Sequence, residues 1–148
     1  MEKKSLATIG FTKTTAESFF NRLQSSKIKT LIDVRLNNTS QLSGFAKSQD
    51  LKFFLKAVSN IQYRHLPILA PEEDMLKTYR NLGKDWEAYS RKFLDLMEYR
   101  RIETKLSPEL LENSCLLCSE DKPHHCHRRL VAEYLNDKWG GALSIKHL

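Results

Sequence analysis

Leu116-Leu-Cys-Ser-Glu-Asp-Lys-Pro-His-His-Cys-His-Arg-Arg129 joins an apolar run to a helical pattern, and the class of the fold follows from that junction. The run Cys115-Leu-Leu-Cys118 reads as the end of a buried strand, Pro123 breaks the chain, and Leu130, Val131, Tyr134 and Leu135 then recur at helical spacing. A strand leading through a short loop into a helix is half of a βαβ unit. The same stretch holds two cysteines, three histidines, a glutamate and two arginines. It places Cys126, His127 and Arg128 at a helix N-terminus, where unpaired N–H groups and the helix dipole attract anions and lower the pKa of a nearby thiol.

The pattern repeats outward from the junction. Leu6 to Ile9 reads as a first strand, and Thr14-x-x-Glu17 as a capping box opening a helix whose Ala16, Phe19, Phe20 and Leu23 share a face. Thr30 to Val34 is a second, buried strand, and Ile61 to His65 a short third, with a helix marked by Leu51, Phe54, Leu55 and Val58 between them. Pro71 with Glu72 and Glu73, Asp85 ahead of Trp86, Tyr89, Phe93 and Met97, and Ser107-Pro108 signal three helices inserted before the fourth strand at 114–118. A helix from about 126, a stop at Gly140-Gly141 and a last strand from Leu143 to His147 complete the series. Strands alternating with helices predict an α/β domain: a mostly parallel open sheet of about five strands flanked by helices, with a helical insertion between strands three and four. One domain over residues 1–148 is expected, since 148 residues that are 41% hydrophobic and 28% charged suit a single core.

Ligands of open α/β sheets sit beyond the carboxyl ends of the strands. Read there, the strands deliver Gly10 and Thr12, Asp33 and Arg35, His65, Cys118 and Glu120, and His147. The expectation is that at least four of Gly10, Arg35, His65, Cys118 and His147 line one concave region. Arg35 and Arg128, with Gly10 and Thr12, are the candidate anion binders, a phosphate or carboxylate being the ligand. Cys118 or Cys126 is the candidate nucleophile, with Glu120, His65 or His127 to move protons and Asp33 and His147 in support. Asp33 and Arg35 have a second reading as a structural ion pair. A strand, cysteine, loop and helix is also the layout of cysteine-dependent phosphatases and rhodaneses, but the phosphatase loop carries its arginine where this chain has His124. Neither activity is assigned.

Thr8-Ile-Gly10, Leu31-Ile-Asp-Val-Arg35 with Asn37-Asn-Thr-Ser40 and Gly44-Phe45, Tyr63-x-His65-Leu-Pro67, Leu117-Cys-Ser-Glu120, Cys126-His-Arg128 and His147-Leu148 together resemble the bacterial and archaeal family termed domain of unknown function 488. The resemblance spans nearly the whole chain, and Cys-x-Glu followed by Cys-His-Arg is its most specific part. It implies a single α/β domain and leaves the reaction open. The chain departs from a common pattern of that family at Phe11, where a histidine is often found.

No metal and no cofactor are expected. Cys115-x-x-Cys118 looks like half of a zinc site, but residues three apart in a strand point to opposite faces, which makes Cys115 a small buried hydrophobe. A mononuclear site on Cys118, Cys126 and a histidine is the alternative. Three cysteines within twelve residues make no disulfide framework, and a reducing cytoplasm is the expected location. The formal charge of +6 and pI near 9.3 fit anionic partners, yet residues 101–148 carry as many acidic as basic side chains, so no nucleic-acid face is favoured. A small anion or nucleotide is the expected partner, and a phosphate-binding module without catalysis or a purely structural motif are the competing readings. No apolar stretch approaches the roughly 20 residues that span a bilayer, and the N-terminal apolar run is too short for a signal peptide. Membrane association is therefore not expected, and the oligomeric state is not readable.

Overall fold

The computed structural model describes residues 2–120 and 122–148. Five strands, β1 (Lys4–Gly10), β2 (Thr30–Asp33), β3 (Gln62–His65), β4 (Ser114–Cys118) and β5 (Leu143–His147), form one sheet in the order β3-β2-β4-β1-β5. Every pairing is parallel. The helices are α1 (Ala16–Ser25), α2 (Ser48–Phe54), α3 (Glu73–Asn81), α4 (Trp86–Arg100), α5 (Pro108–Leu111) and α6 (His127–Lys138), with α3, α4 and α5 inserted between β3 and β4. This is the α/β architecture that the alternation of strand and helix predicts.

The helix starts follow local chemistry. Asp85 accepts a hydrogen bond from the Ala88 N–H and Ser107 accepts one from Leu110 N–H, each capping the helix that begins one residue later. At α1 the cap falls one residue beyond the expected box. Thr15 Oγ1 accepts from Ser18 N, while Thr14 Oγ1 accepts from the Arg22 guanidinium, and Ala16 is exposed. Two adjacent threonines can each serve as cap, and packing of Phe19, Phe20 and Leu23 into the core sets the register. Beyond α2 the chain widens into one π turn at Leu55–Ser59, which ends at Asn60 in the left-handed region (φ 53°).

Alternation along the strands sends side chains to two separate cores. Leu6, Ile32, Leu116 and Cys118 pack with Phe93, Met97, Val131 and Leu135 on the side of α4 and α6. Ala7, Ile9, Leu31, Cys115 and Leu117 pack with Phe19, Phe20, Leu23 and Leu51 on the side of α1 and α2. Cys115 therefore faces away from Cys118, as strand phase requires. Burial on both faces explains why β4 reads as an uninterrupted apolar run. Among the described residues, no helix is long and apolar enough to cross a membrane.

Candidate functional site at the carboxyl edge of the sheet

The central position of β4 decides which expected residues meet. Cys118 pairs with Gly10 of β1 on one side, and Leu117 pairs with Asp33 of β2 on the other. Arg35 and Cys118 thus emerge from adjacent strands and line a common cleft of about 230 Å³. His65, on β3, and His147, on β5, stand at opposite edges of the sheet. Of the five residues expected in one concavity, only Arg35 and Cys118 line this cleft. The sheet, expected to be mostly parallel, is parallel throughout, but five strands are too wide for its two edges to reach one small cavity.

Asp33 and Arg35 form a buried, two-pronged ion pair. Arg35 Nε donates to Asp33 Oδ1 and Nη2 donates to Oδ2, both at 2.8 Å, and Arg35 N–H adds a third bond to Oδ1 at 3.1 Å. Tyr63 O–H donates to Asp33 Oδ2 at 2.6 Å, and Asn38 Nδ2 donates to the same oxygen at 3.3 Å. Burial pushes the Asp33 carboxyl up, but the Arg35 bonds and charge with the Tyr63 hydroxyl outweigh it, so the carboxyl lies below its usual range. Arg35 Nη2 also donates to the Ala46 carbonyl at 2.7 Å, and the guanidinium lies over the Phe11 ring, 5.1 Å from its centroid. Phe11, the departure from the family pattern, is thus the platform under Arg35. Arg35 is 3% exposed, and its Nη1 has no hydrogen-bond partner among the described residues.

Arg128 is fully buried although it carries a charge. Its Nε donates to Thr8 Oγ1 at 3.2 Å, and its Nη1 donates to the Glu120 carbonyl and approaches Cys118 Sγ at 3.7 Å. The guanidinium ties the first strand to the loop after β4. Thr8 Oγ1, which accepts from Arg128, also shares a hydrogen bond of 2.6 Å with His147 Nδ1. Burial and then the Arg128 charge hold His147 below its usual pKa. Gly10 and Thr12 serve the same loop: Thr12 N–H and Oγ1 both donate to the Ser119 carbonyl, at 3.0 and 2.8 Å. Arg129, next to the buried arginine, donates to the Pro123 and His124 carbonyls and pairs with Glu133 on the surface.

Cys126 is the N-cap of α6 and His127 its first residue. Cys118 and Cys126 are joined as a disulfide and both are buried, which departs from the expectation of free thiols. The strand end and the helix start converge only in the folded chain, so spacing along the sequence did not reveal the pair. Cys115 is the free cysteine, and burial pushes its thiol up. His127 Nε2 donates to the Val34 carbonyl at 2.7 Å, which fixes the proton on that nitrogen and leaves Nδ1 with a lone pair. Burial lowers the His127 pKa to about 4, so the ring is neutral near pH 7. His65 Nε2 likewise donates to the Arg35 carbonyl at 2.9 Å, bracing the backbone beside the ion pair.

The cleft is further walled by aromatic residues, of which Trp86 and Tyr89 entered the sequence reading only as signals of a helix. Trp86 and Tyr89 of α4 and Tyr79 of α3 line it, and the exposed His125 stacks on Trp86 at 5.0 Å with an interplanar angle of 18°. Arg80, Lys84 and Glu120 stand among the lining groups as well. Aromatic residues at helical spacing look the same whether they fill a core or form the rim of a cavity. Thr8, Tyr63 and Asn38, which complete the polar network, fall within the motifs that carry the family resemblance, but nothing in their spacing marks them as site residues.

Residues 15–135 match the model of the family described as Domain of unknown function DUF488. No curated protein and no solved structure matches the chain.

Proposed function

We propose, for a chain that belongs to the DUF488 family, that the cleft beside Arg35 binds a small oxyanion, a phosphate or carboxylate group of its ligand. One observation carries this reading: Arg35 lines the cleft, and its Nη1 is buried with its sister nitrogens engaged and no acceptor among the described residues. A buried guanidinium N–H without a partner is costly, and an anionic oxygen satisfies it. Arg80 and Lys84 at the cleft add positive charge that draws an anion in. The Tyr79, Trp86 and Tyr89 wall favours a ligand with a flat ring, and a mononucleotide combines ring and phosphate. Catalysis by Cys118 or Cys126 on this ligand requires the pair in its reduced form. For Arg128, whose nitrogens engage Thr8, Glu120 and Cys118, the structural reading is the better supported.

The test is a titration of phosphate, sulfate and mononucleotides against the wild type, Arg35→Lys and the double variant Arg80→Ala/Lys84→Ala, followed by calorimetry at fixed ionic strength. A charge-assisted hydrogen bond is worth about 1.5–3 kcal/mol, so Arg35→Lys should weaken binding roughly ten-fold or more. The double variant should weaken it less and flatten its salt dependence. Equal affinities in all three proteins, or no binding by any, would overturn the reading.

A further inference from the structure

We infer that the reduced chain holds one zinc-class divalent ion on Cys118, Cys126 and His127, with its remaining position open to the cleft. This takes up the mononuclear alternative in place of the expectation of no metal, and it is independent of the oxyanion reading.

The two sulfurs and a ring nitrogen of His127 lie within 4.8 Å of one another. Two thiolates and an imidazole are a zinc donor set, and three protein ligands leave the fourth tetrahedral position for water or substrate. The α-carbons of Cys118 and Cys126 are 7.3 Å apart. His127 is held in an orientation suited to coordination. Its Nε2–H donates to the Val34 carbonyl, the kind of outer bond that orients ligating histidines and leaves the other nitrogen free to coordinate. Arg128 Nη1 near Cys118 Sγ offers a charge-assisted bond to a thiolate, and the α6 N-terminus adds its dipole at Cys126. Cys118, Cys126 and His127 all line the cleft, so a ligand entering it reaches the open position.

A phosphine reductant takes the oxygen of one water molecule, and the disulfide receives two electrons and two protons to become two thiols. The divalent ion then displaces both thiol protons, giving a neutral dithiolate–imidazole centre.

The experiment uses the full chain, freed of metal by a chelator, with and without phosphine reduction. Zinc is titrated against a chromophoric chelator, and cobalt(II) is added in parallel to read thiolate-to-metal charge transfer. The reduced wild type and Cys115→Ser should bind one equivalent and give the charge-transfer band. Cys118→Ser and Cys126→Ser should lose both, and His127→Gln should weaken binding by at least ten-fold. The oxidised wild type, which needs no substitution and keeps its fold, should bind none. Substoichiometric binding by the reduced wild type, equal binding by the oxidised protein, or loss of binding in folded Cys115→Ser would each overturn the inference. The anion titration of the Arg35 variants reads the oxyanion site separately, so the two can fail independently.

Discussion

The carbonyl of Glu120 occupies the space in which any side chain at Gly10 would have to stand. A β-carbon built there overlaps the Glu120 carbonyl group and comes within 2.8 Å of Arg128 Nη1. Gly10 is therefore a packing requirement: its bare backbone lets the loop after β4 cross the end of β1 and lets Arg128 reach that loop. Because the obstructing atoms are backbone, the loop cannot yield by turning a side chain.

Gly10→Ala should accordingly destabilise the fold by more than overpacking of a flexible site, at or above about 1–3 kcal/mol. Urea unfolding followed by tryptophan fluorescence measures this. A loss below half a kilocalorie per mole would mean that the loop has an alternative course.

Asp33→Ala should cost about 3–5 kcal/mol, because it strands the buried Arg35 charge. The double variant Asp33→Ala/Arg35→Met should recover part of that loss, since the charge and its partner then leave together. A double variant no more stable than Asp33→Ala would show that the pair contributes more than mutual neutralisation. Acid should act in the same direction. The Asp33 carboxyl lies below its usual value in the fold, so its stabilisation is present above the unfolded pKa and is lost as pH falls through the lower, folded one.

The histidines predict a second pH window. His127 is held near 4 by burial, and His147 is also lowered, so the unfolded chain takes up protons before the folded one does. Stability should be level above about pH 6.5 and fall toward pH 4, by at most roughly 1.4 kcal/mol per pH unit for each group. In His127→Gln the slope should be shallower. An unchanged slope in that variant would assign the window to other groups.

Alkylation under denaturing conditions checks the cysteine pairing. Without reductant one thiol, Cys115, should be modified, and after reduction three should be. Three modified thiols without reductant would show that Cys118 and Cys126 are unbridged in the purified protein.

The alternation of apolar runs with helical periods determined the parallel α/β class, and it placed β4 and β5 at their residue limits. Strand phase determined that Cys115 turns away from Cys118, because neighbouring side chains on a strand must alternate. These are local consequences of periodicity and hold before any partner strand is chosen. Only the tertiary structure decided strand order, and strand order decided the site. With β4 between β1 and β2, Cys118 meets Arg35, while His65 and His147 fall at the two edges. Two arginines that look alike in sequence also separated there: Arg35 lines the cleft and keeps a nitrogen without a partner among the described residues, while Arg128 is drawn into the centre to tie β1 to the loop after β4. A hydrogen bond has no signature in spacing when its donor and acceptor lie more than a hundred residues apart, as Arg128 and Thr8 do.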